Sequence, residues 1–192
     1  MITMNHVTKR FGNIEAVHDL SFSLCPDRII GLLGQNGAGK STTLNLLTGY
    51  YPPTAGQITM DGMDLMTHSR EYKRKIGYIP EQPPLYDEMT VSDYLRFCCR
   101  LKEVQSRSIP AHLDDILQLC GLTEVRNRVL GNLSKGYRQR AAIAQGLCGD
   151  PGVLIMDEPT VGLDPRQVVE IRDLIRTLGE THTILFSSHI LA

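Results

Sequence analysis

Apolar and polar positions alternate over residues 16–24, where Ser21 and Ser23 separate Leu20, Phe22 and Leu24. That period of two predicts a half-buried strand. Pro26-Asp27 supplies a turn. The continuous apolar run Ile29-Ile30-Gly31-Leu32-Leu33 then predicts a strand buried on both faces. Gly34 to Gly39 is a glycine-rich loop, and Ser41 to Thr48 reads as a helix with Leu44, Leu46 and Leu47 on it and Gly49 at its end. Gly56 to Asp61 is a short strand closed by the turn pair Asp61-Gly62, and Ile76-Gly77-Tyr78-Ile79 is another, broken by Glu81-Gln82-Pro83-Pro84. Helical spacing runs from about Ser92 to Glu103, again from His112 to Cys120 with Gly121 as a stop, and a third time from near Ser134. Val153-Leu154-Ile155-Met156 is a buried strand ending in Asp157-Glu158. Pro165 starts a helix that runs to Gly179, and Thr183-Ile184-Leu185-Phe186 is the last strand. Strands joined by helices at both ends, with helices clustered between about 84 and 150, predict an α/β core carrying a helical insertion.

Composition narrows the class. The chain has 192 residues, enough to bury a core as one domain. With 42% apolar and 21% charged residues it is not a disordered chain. Lys plus Arg number 20 against 21 Asp plus Glu, a net charge of −1, which lends no support to binding driven by bulk attraction to nucleic acid. No apolar run reaches the ~18 residues of a membrane span, and Met1 to His6 lacks the charged-then-apolar pattern of a signal peptide. Five cysteines without a CxxC make neither a disulfide nor a zinc framework. Cys98-Cys99, adjacent on a predicted helix, read as core filler.

Three segments carry chemistry. Gly34-Gln35-Asn36-Gly37-Ala38-Gly39-Lys40-Ser41 matches GxxxxGK[ST] between a strand and a helix. Glycines let successive backbone N–H groups curl around phosphate oxygens, and the helix N-terminus adds partial positive charge. Lys40 reaches the β/γ-phosphates and Ser41 offers a hydroxyl to Mg²⁺. The contacts expected here are Gly34, Gln35, Asn36, Gly37, Ala38, Gly39, Lys40, Ser41 and Thr42. Asp157 and Glu158 stand at the carboxyl end of a strand, the edge where open α/β sheets bind ligands. Asp157 is placed to hold Mg²⁺, directly or through water, and Glu158 to orient the attacking water or take its proton. Ser134, in Asn132-Leu133-Ser134-Lys135-Gly136-Tyr137, sits at a helix start with Gly136 two residues on. Alone it reads as an ordinary cap rather than as an anion site.

Together these segments resemble the ATP-binding cassette (ABC) ATPases over essentially the whole chain. Leu133 to Tyr137 looks like a variant of the family's LSGGQ signature, and Val153 to Glu158 like its Walker B strand. Gly162-Leu163-Asp164 resembles its D-loop and His189 its switch histidine, while Phe11 stands where the family places an aromatic that stacks on adenine. Leu133 to Arg140 and Gly162 to Arg172 look most like the ATPases of ABC-2-type exporters, including the gliding-motility-associated kind. The resemblance implies a P-loop NTPase core, a mixed sheet with flanking helices and an N-terminal antiparallel β part, over 1–82 and 151–192. A helical subdomain would span about 83–150. It implies ATP and Mg²⁺ as ligands and hydrolysis of ATP to ADP and phosphate, with Lys40, Glu158 and His189 catalytic. Ser134 and Gly136 would touch the ATP of a second ATPase chain, in a homodimer that Asp164 communicates across. Integral-membrane permease subunits would be the other partners. Location would be cytoplasmic, peripheral on the inner face of the cell membrane, with no nucleic acid involved.

Three places depart from the family pattern. The Q-loop position counted from Ile79-Pro80 falls on Glu81, with Gln82 one residue later. Either the loop slips by one, or, as expected here from the register of the strand, the Glu81 carboxylate replaces the amide and serves as an Mg²⁺ ligand. Lys135 and Tyr137 replace a glycine and the final glutamine of the signature. Family members usually continue beyond the switch histidine, so the resemblance implies a missing C-terminal part and an exposed edge on the last strand. Two other readings stay open at this stage: a soluble ABC ATPase acting on nucleic acid or ribosomes, and a nucleotide-binding regulatory module without turnover.

Overall fold

The computed structural model describes residues 1–26 and 28–189. Asp27 of the predicted Pro26-Asp27 turn, and the last three residues, lie outside that set. The elements in order are β1 (Ile2–Phe11), β2 (Ile14–Leu24), β3 (Ile29–Leu33), α1 (Lys40–Leu47), β4 (Ala55–Met60), β5 (Met63–Asp64), α2 (Ser69–Arg74), β6 (Ile76–Ile79), α3 (Val91–Leu101), α4 (Ile109–Leu119), α5 (Lys135–Leu147), β7 (Val153–Met156), α6 (Pro165–Leu178) and β8 (Thr183–Ser188). They form two four-stranded sheets. One is antiparallel, in the order β2-β1-β4-β5, and the other parallel, in the order β3-β8-β7-β6.

The parallel sheet sits between two apolar clusters, and β7 shows why its sequence is apolar throughout. Val153 and Ile155 face α1 and the antiparallel sheet, in a cluster with Leu44, Leu47, Met4 and Ile58. Leu154 and Met156 face the other way, in a cluster with residues of α3, α4, α5 and α6. A strand covered on both faces needs no polar alternation. The helical stretch shares this second cluster with the sheet, and Cys98 and Cys99 are buried in it as expected. Each fully buried Leu or Ile contributes ~1.5–3 kcal/mol of burial.

Two expectations about strand environment are corrected. β3 is not buried on both faces. It pairs only with β8, so it is an edge strand among the described residues. Ile29 and Leu33 are 43% and 50% exposed and line an open groove of about 550 Å³ with Phe186 and Ile175. The last strand, in turn, is not an edge. β8 lies between β3 and β7, because the crossover through α6 returns the chain to the middle of the sheet.

Other elements carried no clean period. In β1, Ile2, Met4 and Val7 are the buried residues, so the alternation slips by one between Met4 and Val7. A β-bulge does this, and His6 takes a positive φ of 49° there. In α2 only Tyr72 is buried, too little to show a face. α4 begins earlier than expected, with Pro110 in its first turn, where a missing N–H costs nothing.

α5 lies unusually close to β6. A Cβ at Gly77 would stand 2.1 Å from Gly146 O and 2.7 Å from Leu154 Cδ2. Gly77→Ala is therefore expected to destabilise the fold by about 1–3 kcal/mol or more, since neither a carbonyl nor a packed leucine can yield freely. Gly152→Ala, with open space around the new methyl, should be neutral or stabilise by ~0.4–1 kcal/mol. Urea midpoints of the two variants check the pair.

Candidate functional site

The parallel sheet sends the carboxyl ends of its four strands to one edge. The loop after β3, Pro80-Glu81 after β6, Asp157-Glu158 after β7 and His189 after β8 all start there. The loop Gly34–Gly39 turns back on itself, with Ala38 N donating to Gln35 O at 3.2 Å. Gly39 caps α1 in the left-handed region (φ 85°), and a Cβ there would lie 2.4 Å from Ala16 O. Only glycine meets both conditions.

The amino end of α1 opens into a cleft of about 230 Å³ whose walls include Asn36, Lys40, Ser41, Thr42, Glu81 and Glu158. Lys40 is 8% exposed. Its ammonium donates to Gly34 O at 2.7 Å and Gln35 O at 3.1 Å, and lies 3.8 Å from Glu158 Oε1. Glu158 Oε2 is 2.9 Å from His189 Nδ1. A lysine, a carboxylate and an imidazole thus meet at one end of the cleft, the first two mostly screened from solvent and the imidazole exposed. Glu158 also takes a positive φ of 47°. For a residue with a long side chain that is a strained conformation, of a kind that clusters at functional sites.

Asp157 is buried behind the cleft rather than in its wall. Its Oδ1 accepts from Ser187 Oγ at 2.6 Å, and the same oxygen of Ser187 accepts from Glu158 N at 2.9 Å. Ser187 carried no signal in the sequence: a serine after an apolar strand has many ordinary uses. Burial, reinforced by the nearby Asp157 charge, pushes the Tyr78 hydroxyl up to about 12, so it stays a neutral donor and bonds Asn45 Oδ1 at 3.1 Å.

The structure separates the two candidates at the Q-loop position. Glu81 stands in the cleft wall with Lys40 and Ser41, whereas Gln82 lines neighbouring grooves and not this one. Phe11, at the end of β1, is also outside the cleft wall and is 41% exposed. Tyr51 packs edge-on against its ring, with centroids 5.1 Å apart, and the Lys9 ammonium lies 5.0 Å from the ring centre.

Ser134, Gly136 and Asp164 form a second group that does not line this cleft. Ser134 caps α5, accepting from Tyr137 N, and Asp164 caps α6, accepting from Gln167 N at 2.9 Å. The two helix starts are adjacent: a Cβ at Gly136 would touch Gln167 at 3.0 Å, and Lys135 lies over Gly162. A groove of about 420 Å³ runs from Lys135 and Gly162 to Glu81. Glu81 therefore borders both groups.

Residues 17–161 match the protein family described as ABC transporter. The chain is 38% identical over 197 residues to the ABC transporter ATP-binding protein NatA of Bacillus subtilis (strain 168), covering all of this chain and 80% of NatA. It is 36% identical over 194 residues to the bacitracin transport ATP-binding protein BcrA of Bacillus licheniformis, again over its whole length but over 62% of BcrA. Among solved structures, the dimer of a bacterial ABC transporter cassette superposes with a TM-score of 0.87 at 26% identity, over 100% of this chain and 89% of that one.

If Glu81 acts on the metal–nucleotide complex, Glu81→Gln should move the Mg²⁺ concentration for half-maximal nucleotide hydrolysis by about tenfold. Gln82→Ala should leave it in place. The reverse pattern in an Mg²⁺ titration would transfer the role to Gln82.

Proposed function

The chain belongs to the ABC transporter ATP-binding family, and on that premise we propose that it binds and hydrolyses ATP to power a membrane transporter of the ABC-2 exporter type. The observation that carries this reading is the meeting of Lys40, Glu158 and His189 at a phosphate-sized cleft. The exporter type rests on Leu133 to Arg140 and on the similarity to the bacitracin transport protein.

The residues fit Mg²⁺ bound together with a nucleotide. Among the described residues no group of three or more His, Cys, Asp and Glu could hold a metal by itself. Mg²⁺ needs none, since it takes one or two carboxylates and fills its octahedron with phosphate oxygens and water. Ser41 and Glu81 would hold it in the cleft, and Asp157, set back behind the wall, would reach it through water. When bound, the ion neutralises charge on the phosphate oxygens.

The chain's own residues supply the rest. Lys40 exchanges the carbonyls of Gly34 and Gln35 for phosphate oxygens. The first N–H groups of α1 point at the same oxygens. Glu158 orients a water for attack on the γ-phosphate and accepts its proton, and His189 holds the Glu158 carboxylate. Phe11 stacks on adenine, with its ring braced by Tyr51. Residues 83–150 act as the helical subdomain, between core parts 1–82 and 151–192.

The helix starts at Ser134 and Asp164 complete the site of a second copy, whose phosphate cleft they face in a head-to-tail dimer. The dimeric structure of a similar cassette supports the pairing of two such chains. ATP drives closure because it binds the closed state better than the open one. No helix among the described residues is long and apolar enough to cross a membrane. The proposed permease subunits dock on the groove of about 730 Å³ that Tyr86, Phe97, Leu101, Arg70, Lys73 and Arg74 line, from the cytoplasmic side of the cell membrane.

Light scattering on Glu158→Gln tests the dimer. With hydrolysis blocked, Mg·ATP should raise the mass from 21.4 kDa to about 43 kDa, twice the chain mass, by linkage of binding to association. Ser134→Arg should abolish the shift. A monomer that binds ATP under all conditions would refute the homodimer.

A further inference from the structure

We propose that Ser187 is a positioning residue for ATP hydrolysis: a buried hydroxyl on β8 that fixes the carboxylate of Asp157 and the backbone of Glu158 together. The proposal rests on the reading of these two acids given above.

Ser187 is 0% exposed. A hydroxyl has one proton to give and lone pairs to receive. Here the proton goes to Asp157 Oδ1 (2.6 Å) and a lone pair receives the N–H of Glu158 (2.9 Å). The two residues it binds are consecutive, and they are the two acids of the site. Strand register makes this possible. Met156 pairs with Phe186 in the parallel β7–β8 ladder, so Asp157, the first residue past β7, stands beside Ser187, which is still on β8.

The bond to Glu158 N has a particular consequence. Glu158 holds φ at 47°, a region that residues with side chains rarely adopt and that persists only where neighbours enforce it. The N–H of that residue is tied to Ser187, and its carboxylate is tied to His189 at 2.9 Å. β8 and the residue after it therefore hold Glu158 at both ends. His189 sets where the carboxylate points, and Ser187 sets the backbone from which it projects. Because one hydroxyl serves both acids, a shift of Asp157 is felt at Glu158. Outer partners of this kind change activity or metal affinity by about 10–100-fold when removed, although Ser187 itself lies outside the cleft wall.

The test uses the full chain as Ser187→Ala and Ser187→Cys. The cysteine variant keeps the side-chain volume with a poor hydrogen-bonding group, so it stands in if the alanine variant fails to fold. Backbone amide exchange, followed without metal or nucleotide, should show the Glu158 amide exchanging about tenfold faster or more while Ile155 and Met156 keep their protection. Steady-state kinetics should show kcat lowered about 10–100-fold with KM for ATP nearly unchanged, the signature of lost positioning rather than lost binding. Unaltered exchange at Glu158, or wild-type kcat, in a folded variant would overturn the proposal. So would a rise in KM that matches the fall in kcat/KM. Glu158→Gln separates this from failure of the underlying reading. If Glu158→Gln hydrolyses ATP at the wild-type rate, the assignment of the acid itself is wrong, whatever Ser187 does.

Discussion

The parallel alignment of β6, β7, β8 and β3 is the constraint on which the rest of the molecule depends. Parallel neighbours cannot be joined by tight turns, so each strand needs a crossover. The residues that meet at the carboxyl edge are consequently scattered in the chain, from Lys40 through Glu81 and Glu158 to His189. What fixes their relative height is the ladder itself. Ile79 pairs with Met156, and Met156 with Phe186, so the segments that follow emerge level with each other. The two apolar clusters clamp β7 from both faces and leave only its end polar.

Charge at that edge is matched rather than merely gathered. Lys40 and Glu158 are both poorly exposed, and an unpaired charge in such a place would be costly. Each has partners: two loop carbonyls and Glu158 for the lysine, Lys40 and His189 for the glutamate. The lysine's carbonyl bonds hold it at the loop without spending it. A phosphate group offers stronger, charge-assisted acceptors in the same direction. The left-handed turn at Glu158 is tied at its N–H to a buried hydroxyl of the neighbouring strand, at its carbonyl to Val161 N and at its carboxylate to His189.

The second group of site residues has a different physical character. Ser134 and Asp164 satisfy the N-termini of α5 and α6 with their own side chains, and these helix starts are exposed. Gly136 lets Gln167 approach, so the two starts lie side by side on one surface. That surface lies outside the phosphate cleft, with Glu81 between them. On the function proposed above, the chain presents half of two sites, which two copies complete when they pair.

Local chemistry by itself determined much of this protein. The glycine pattern ahead of Lys40 demands a loop that can curl around an anion, and the apolar run before Asp157-Glu158 demands a buried strand with acids at its end. Periodicity likewise marked α3 and β2, Pro165 and Gly179 bounded α6, and the glycine-rich loop before α1 was legible for the same reason: these signals are set by bonds a few residues apart. Long-range pairing decided the remainder. β3 and β8 have similar apolar sequences, yet one is an edge and the other is central, because crossover topology and not composition assigns a strand its neighbours. β1 was hidden by a bulge whose partner strands supply the compensation. Whether Glu81 or Gln82 enters the cleft depended on how the chain leaves β6. Ser187 acquired its importance only through the residue it faces across a ladder, 30 positions away in the chain. Sequence dictates what each segment can be; which buried polar groups find each other is settled when the strands come into register, because a hydroxyl binds whatever lies within hydrogen-bond reach.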